Sequence, residues 1–194
     1  EVTTFRSDHK YTDRRRPEEV KYAQTIEEDL SRRDFTVNAL ALRGTELIDP
    51  FEGQKDLKAK VIRAVGKSEE RFGEDALRMM RAARLATVLN FTIEEKTKKA
   101  IQTHSQLLKE ISEERVRDEF QKIIMADRAR EGIELLRELR LLQYITPELE
   151  EGYGVDQNKH HKYTVWEHNL FSLEYAAKQK WSLIVRLASL LHDV

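Results

Sequence analysis

The chain has 194 residues, 40% hydrophobic and 36% charged, with a formal net charge of −1. That length supports one large domain or two small ones around a buried core. Abundant charge beside only seven Gly and three Pro predicts a mostly helical protein with solvated helix faces. The near-neutral balance excludes bulk basicity, so any nucleic-acid surface must come from local arrangement. The lack of cysteine excludes a disulfide scaffold and any thiolate metal site. No apolar run approaches a membrane span and the N-terminus carries no signal pattern, which predicts a cytoplasmic protein.

In chain order, strand signals are confined to the first part. Val2–Phe5 and Glu19–Ala23 carry β-branched and aromatic residues, and the polar, basic segment Ser7–Pro17 between them reads as a mobile loop. Thr25 followed by Glu28 is a capping box that opens a helix. Ala39–Leu42 and Glu46–Asp49 form a hairpin turned at Arg43-Gly44-Thr45, and Val61–Gly66 is a last short strand. From Ser68 onward a helical period dominates: Glu74–Leu89, then Glu113–Ala126 capped by Ser112, Glu131–Leu142, Thr164–Ala177 and Trp181–His192. The change from a mixed part to a helical body falls near residue 67. The chain opens in a strand-like run without Met and closes inside an apolar helical pattern, so it is expected to be a fragment.

Two constellations carry chemistry. The first is Ser31-Arg32-Arg33-Asp34-Phe35-Thr36-Val37-Asn38-Ala39 at a helix-to-strand junction. Arginine forks bind phosphate oxygens bidentately, and Asp34 and Asn38 can fix the arginines or a ribose hydroxyl. The second is Glu74 to Arg84, EDALRMMRAAR. On one continuous helix, Asp75 and Arg78 are neighbours on one face. A carboxylate accepts from an exocyclic amine and a guanidinium donates to a ring acceptor. Cytosine and adenine both offer an amino group beside an acceptor nitrogen, whereas guanine and uracil present the opposite order. Such a pair selects C and A, with Arg81 and Arg84 continuing the ridge toward triphosphate or ribose. Taken alone, Asp75 and Arg78 also read as an exposed i,i+3 salt bridge.

Taken together the motifs say more. SRRDFTVNALAL, LIDPFEGQKDL, IRAVGKSEERFGEDALRMMRAARL and ISEERVRDEFQKII follow one another in the order of class II tRNA nucleotidyltransferases and bacterial poly(A) polymerases, and the chain resembles that family over about its first 125 residues. The resemblance implies a mainly α fold with a small mixed α/β part: the remnant of a polymerase-β-like head (1–66), a helical neck holding an amino-acid template (67–126), and a helical body that binds tRNA (127–194). It implies nucleotide-binding roles for Arg32, Arg33, Asp34, Asn38, Asp75, Arg78, Arg81 and Arg84. It also implies a head–neck hinge at Asp49, Phe51 and Gly53, and a bracing helix with Glu114, Arg115 and Arg117.

The activity implied is addition of C and A to the tRNA 3′ end from CTP and ATP with Mg. The basic loop Ser7–Pro17 resembles the flexible loop of the complete CCA-adding enzymes. An A-adding enzyme, a poly(A) polymerase or a non-catalytic tRNA-binding fragment are the alternatives. The family's metal-holding Asp-x-Asp motif lies upstream of this sequence, and Glu1 on the following strand is at most an accessory carboxylate, so the fragment alone is expected to be inactive. Finally, His168 with His192-Asp193 resembles the start of an HD-type domain, a candidate site for a divalent metal, and leaves a phosphohydrolase as a third class. His160 and His161 read as loop residues.

Overall fold

The computed structural model describes residues 6–11, 17–156 and 162–194. Glu1, the expected strand Val2–Phe5, residues 12–16 and the pair His160 and His161 lie outside the described residues. Two antiparallel strands come first, β1 (Arg6–Tyr11) and β2 (Pro17–Tyr22), in register from Arg6 opposite Tyr22 to Tyr11 opposite Pro17. The first half of the segment expected as a loop is therefore a strand. Its polar composition does not prevent this, because the ladder pairs backbone N–H and C=O groups whatever the side chains.

Helix α1 (Ile26–Ser31) begins where the capping signal lies: Thr25 Oγ1 accepts from Glu28 N at 3.3 Å. The Glu28 carboxylate reaches back one residue further than a capping box requires, to Gln24 N at 2.8 Å. The expected hairpin follows as β3 (Ala41–Arg43) and β4 (Glu46–Ile48), turned through Gly44 at φ 60°. Helix α2 (Gly53–Ala59) is capped by Asp49, whose two carboxylate oxygens accept from Gly53 N at 2.6 Å and Gln54 N at 3.0 Å. Gly53 is required there: a Cβ would sit 2.2 Å from the carbonyl oxygen of Thr36. The hinge motif thus locks α2 onto the single turn at Thr36–Asn38, and Asp56 from α2 takes Thr36 Oγ1 at 2.5 Å and Arg63 Nε at 2.8 Å.

The expected strand at Val61–Gly66 is shorter, β5 (Val61–Ile62), and pairs in parallel with β6 (Thr92–Ile93). Between them lie α3 (Ser68–Glu74) and α4 (Leu77–Leu89). Beyond β6 come α5 (Glu95–His104), α6 (Glu113–Ile124), α7 (Ala129–Glu138), α8 (Pro147–Glu151), α9 (Val165–Lys178) and α10 (Leu183–Leu191). Thr164 opens α9 with a complete capping box to Glu167.

Helix α4 is the axis of the core. Met79, Met80, Ala82 and Ala83 have no exposed surface, and the helix packs on α6 and α7. Close approach is set by small residues: a Cβ on Gly132 of α7 would lie 2.6 Å from Ile123 and 2.8 Å from Thr87. One hydrophobic cluster runs from Phe35 through α4, α6 and α7 to Leu170 and Leu173 on α9 and Leu190 on α10. A smaller cluster of Leu30, Ala39 and Val65 closes the first part. Among the described residues, no helix is long and apolar enough to cross a membrane.

Candidate nucleotide-selecting site

The segment Glu74–Arg84 is not one helix. Helix α3 ends at Glu74, Asp75 is extended at φ −146° and ψ 104°, and α4 starts at Leu77. The cause lies in the aspartate. Asp75 Oδ1 accepts from Leu77 N at 3.0 Å, and its backbone carbonyl accepts from Arg78 N at 3.1 Å, which is how a capping residue serves the orphan N–H groups of a helix start. Asp75 and Arg78 therefore stand at the positive end of α4, not on a mid-helix face.

Nor do they pair with each other. Asp75 Oδ2 accepts from Arg115 Nη2 on α6 at 2.9 Å, so the expected bracing helix holds the carboxylate through that residue. The other two residues expected there, Glu114 and Arg117, are exposed, and Arg117 lies 3.7 Å from Asp118 of the same helix. Arg78 is 9% exposed and donates through Nη1 to Glu74 Oε2 at 2.7 Å and to the carbonyl of Arg71 at 3.3 Å. Its Nη2 donates to the carbonyl of Arg32 at 3.1 Å. Nε–H and one Nη2–H of Arg78 have no protein acceptor among the described residues. Each carboxylate oxygen of Asp75 keeps a lone pair, since it has two and accepts one bond. The two side chains are fixed by separate partners and each retains hydrogen-bonding capacity.

The first constellation meets this site edge-on. Asp34 O accepts from Val65 N at 3.1 Å and Thr36 N donates to Arg63 O at 2.9 Å, so the RRDFT segment runs beside residues 63–65 and buries Phe35 completely. Asp34 is 9% exposed and accepts from Phe35 N at 2.9 Å, Asn38 Nδ2 at 3.2 Å and Arg81 Nε at 2.8 Å. Burial works to lower the Arg81 pKa, but the adjoining Asp34, with Glu119 and Asp75 adding to it, outweighs burial and holds the guanidinium above its ordinary value.

Two expected roles change. Arg32 and Arg33 are held not by Asp34 but by Asp29, at 2.7 and 3.2 Å, three and four residues earlier on α1. Arg84 is not turned to the site with Arg81. Its Nε lies 2.6 Å from the buried Glu119 Oε2 on α6, an ion pair whose alignment leaves both atoms without a formal hydrogen bond. Sequence reasoning missed Asp29, Glu74 and Arg71 as organisers. Arg71 donates to Ser31 O at 3.1 Å and to Glu74 at 2.5 Å, so Arg71 and Arg78 together grip the carbonyls that end α1. The i,i+3 and i,i+4 spacings of these pairs were the available signal. Around the site, Arg32, Arg33, Arg71, Arg78, Arg81 and Arg115 face Asp29, Asp34, Glu74 and Asp75, a local cationic surplus in a chain of net charge −1. Such a surplus suits a polyphosphate.

The carboxylates of this region do not fit a magnesium pair. Asp29, Asp34, Asp49 and Asp56 are each engaged by arginine or backbone donors. Among the described residues the group suited to a metal is elsewhere: His168, His192 and Asp193. There the two Nε2 atoms are 3.0 Å apart and Asp193 Oδ2 is 3.7 Å from His168 and 3.8 Å from His192. Those separations fit one cation with ligand bonds of about 2.0–2.2 Å.

Comparison with known proteins agrees with this architecture. Residues 1–63 match the poly A polymerase head domain, and residues 90–152 match a domain described as a probable RNA and SrmB-binding site of polymerase A. A CCA-adding enzyme of Streptococcus thermophilus is 51% identical over 152 residues, 78% of this chain and 38% of that protein. One of Leuconostoc mesenteroides is 44% identical over 187 residues, 93% of this chain and 47% of that protein. The chain thus spans less than half the length of these relatives. A crystal structure of the Bacillus stearothermophilus CCA-adding enzyme in complex with CTP is 41% identical, with TM-score 0.65 over 72% of this chain and 33% of that one. A tRNA nucleotidyltransferase complexed with a primer tRNA and an incoming ATP analog is 32% identical, with TM-score 0.70 over 92% and 53%. With two family domains in order and relatives of this likeness across most of its length, the chain belongs to the class II tRNA nucleotidyltransferase (CCA-adding) family.

Proposed function

We propose that the protein carrying this chain is a template-independent tRNA nucleotidyltransferase that adds C and A to the tRNA 3′ end from CTP and ATP, and that this chain supplies its base-selecting surface. The observation that carries the reading is the pair Asp75 and Arg78, fixed by Arg115 and Glu74 at the start of α4 with hydrogen-bonding capacity left over. An acceptor beside a donor complements the amino group and ring nitrogen shared by cytosine and adenine. Arg81, Arg32 and Arg33 are the cations nearest to this pair in role, for the triphosphate, with Asp34 and Asn38 orienting Arg81. Arg84 belongs to the same segment, but its pairing with Glu119 supports a bracing role.

Residues 1–66, 67–126 and 127–194 are read as head remnant, neck and body. Transfer joins the primer 3′-oxygen to the α-phosphorus and releases pyrophosphate. Magnesium would supply the charge neutralisation for that step; Asp29, Asp34, Asp49 and Asp56 are engaged by arginine or backbone donors, and the role read for this chain is selection and orientation. The reading places the protein in the cytoplasm. It is tested by assaying the full-length protein on tRNA ending at the discriminator base with CTP alone, ATP alone and both. Addition of two C residues and then A is expected, whereas incorporation of A without C would replace this reading with an A-adding enzyme or poly(A) polymerase.

We also propose that His168, His192 and Asp193 hold one divalent transition metal in an HD-like site separate from nucleotide selection. Calorimetric titration with Mn or Zn should show one site, weakened at least tenfold in His192→Ala with nucleotide addition unchanged. Equal affinity in both proteins would exclude the site.

A further inference from the structure

A second arginine-bearing surface lies away from the selecting segment, with Arg137 and Arg140 beside Glu138 and Glu150. It is a groove of about 820 Å³ between α5, the turn at Ser105–Glu110, α7 and the turn at Leu142–Tyr144. Its walls include Gln102, Gln106, Arg137, Arg140, Gln143 and Tyr144. The amides are oriented by the backbone: Gln102 Nε2 donates to Glu138 O and Gln143 Nε2 to Arg140 O, each at 2.9 Å, and each amide nitrogen keeps a second N–H to donate.

The arginines differ from most others in this chain. Arg137 lies flat on Tyr153, its guanidinium carbon 3.3 Å from the ring centroid, and 5.8 Å from the ring of Trp166. Stacking immobilises the group through its face and leaves its edges unused. None of its N–H groups has an acceptor among the described residues. Arg140 is exposed just beyond α7 and likewise has no acidic partner among them. Lys109 adds a third cation, 5.2 Å from the Tyr144 ring. Of the carboxylates, Glu138 is taken by Lys98 at 2.5 Å. Glu150, on α8, is half-buried, and burial raises its pKa against the pull of Arg137. An arginine held by its face, with open edges beside a second unpaired arginine and neutral amides, is suited to the oxygens of a phosphodiester.

We propose that this groove is a phosphate-binding subsite that grips the RNA backbone of the tRNA at a distance from the 3′ end, with Arg137 as the fixed fork and Arg140 as its exposed partner. This rests on the tRNA reading above and gives part of the body's hold on the substrate a place. It falls inside the residues matching the domain described as a probable RNA-binding site, which a free-anion site would not require.

The test is tRNA binding by the full-length protein over a range of salt concentrations, for wild type, Arg140→Gln and the double variant Arg137→Gln/Arg140→Gln. CTP binding serves as a control, and thermal melting with and without inorganic phosphate as a further arm. Each lost phosphate contact should reduce the slope of log K against log salt by about 0.7–0.9. Affinity for tRNA should fall several-fold in Arg140→Gln and further in the double variant, with CTP binding unchanged. Arg140→Gln disturbs no described contact of its side chain, so it reports even if the double variant folds poorly. An unchanged slope in folded Arg140→Gln overturns the proposal, as does loss of phosphate-dependent stabilisation without loss of tRNA binding, which assigns the groove to a free anion. Failure of the wild type itself to bind tRNA overturns the tRNA reading and the subsite together.

Discussion

Replacing Arg186 by alanine should cost about 4 kcal/mol and lower the melting temperature by roughly 8–16 °C. The side chain sits on α10, is 2% exposed and faces backbone carbonyls. Nη1 donates to Ile124 O and Ala126 O, both at 3.0 Å, Nε to Trp181 O at 3.0 Å, and Nη2 to Ala177 O at 3.4 Å. Ile124 and Ala177 lie in the last turns of α6 and α9, Ala126 just beyond α6 and Trp181 just before α10. Helix ends leave carbonyls short of intrahelical partners at the negative end of the dipole, and here Ala177 O is shared with Lys180 N at 3.0 Å. One guanidinium therefore satisfies the C-termini of two helices and ties α10 to both. Alanine leaves a cavity and several buried acceptors unmet. Arg186→Met, which keeps most of the volume, separates the two causes: a recovery of less than half the loss assigns most of it to the carbonyls. A melting temperature within about 2 °C of wild type for Arg186→Ala would show that the helix ends find other partners.

The second large effect lies at the selecting site. Arg78→Ala should weaken CTP and ATP alike, each by about 1.5–3 kcal/mol, or roughly ten- to a hundredfold. The same change releases the grip on the Arg32 carbonyl and leaves Glu74 with Arg71 alone. Some loss of stability is therefore expected with it. Arg78→Lys keeps the charge but not the fork, and should restore stability more than affinity. Loss of affinity for one nucleotide only would contradict a shared reading of C and A.

The long helices were legible because their apolar residues recur at helical spacing, as in α6, where Val116, Phe120, Ile123 and Ile124 are all buried. Helix α5 was not, since it buries little beyond Thr97, Ala100 and Ile101 on an otherwise charged segment. Helix α2 is two turns long and depends on Asp49 and on the room left by Gly53, neither of which makes a periodic pattern. At the site, residue identities were readable and partners largely were not. Asp29 was within reach of its arginines by local spacing, but Arg115 and Asp75 are 40 residues apart and Arg81 and Asp34 are 47 apart. Such pairings are fixed by how α4 crosses α6 and the RRDFT segment. The break at Asp75 was hidden for a related reason: a capping aspartate inside a helical pattern looks like one more polar position until its side chain is seen on Leu77 N.

That aspartate carries the central claim. Competition among all four nucleotides at the tRNA 3′ end, measured for the full-length protein and its Asp75→Ala variant, tests it most directly. If Asp75 reads the amino group of C and A, the variant should admit G and U while its use of C and A falls by about tenfold or more. Arg115→Ala, which frees the carboxylate without removing it, should give a weaker form of the same change. Discrimination against G and U that stays at the wild-type level in a folded Asp75→Ala protein would contradict the account.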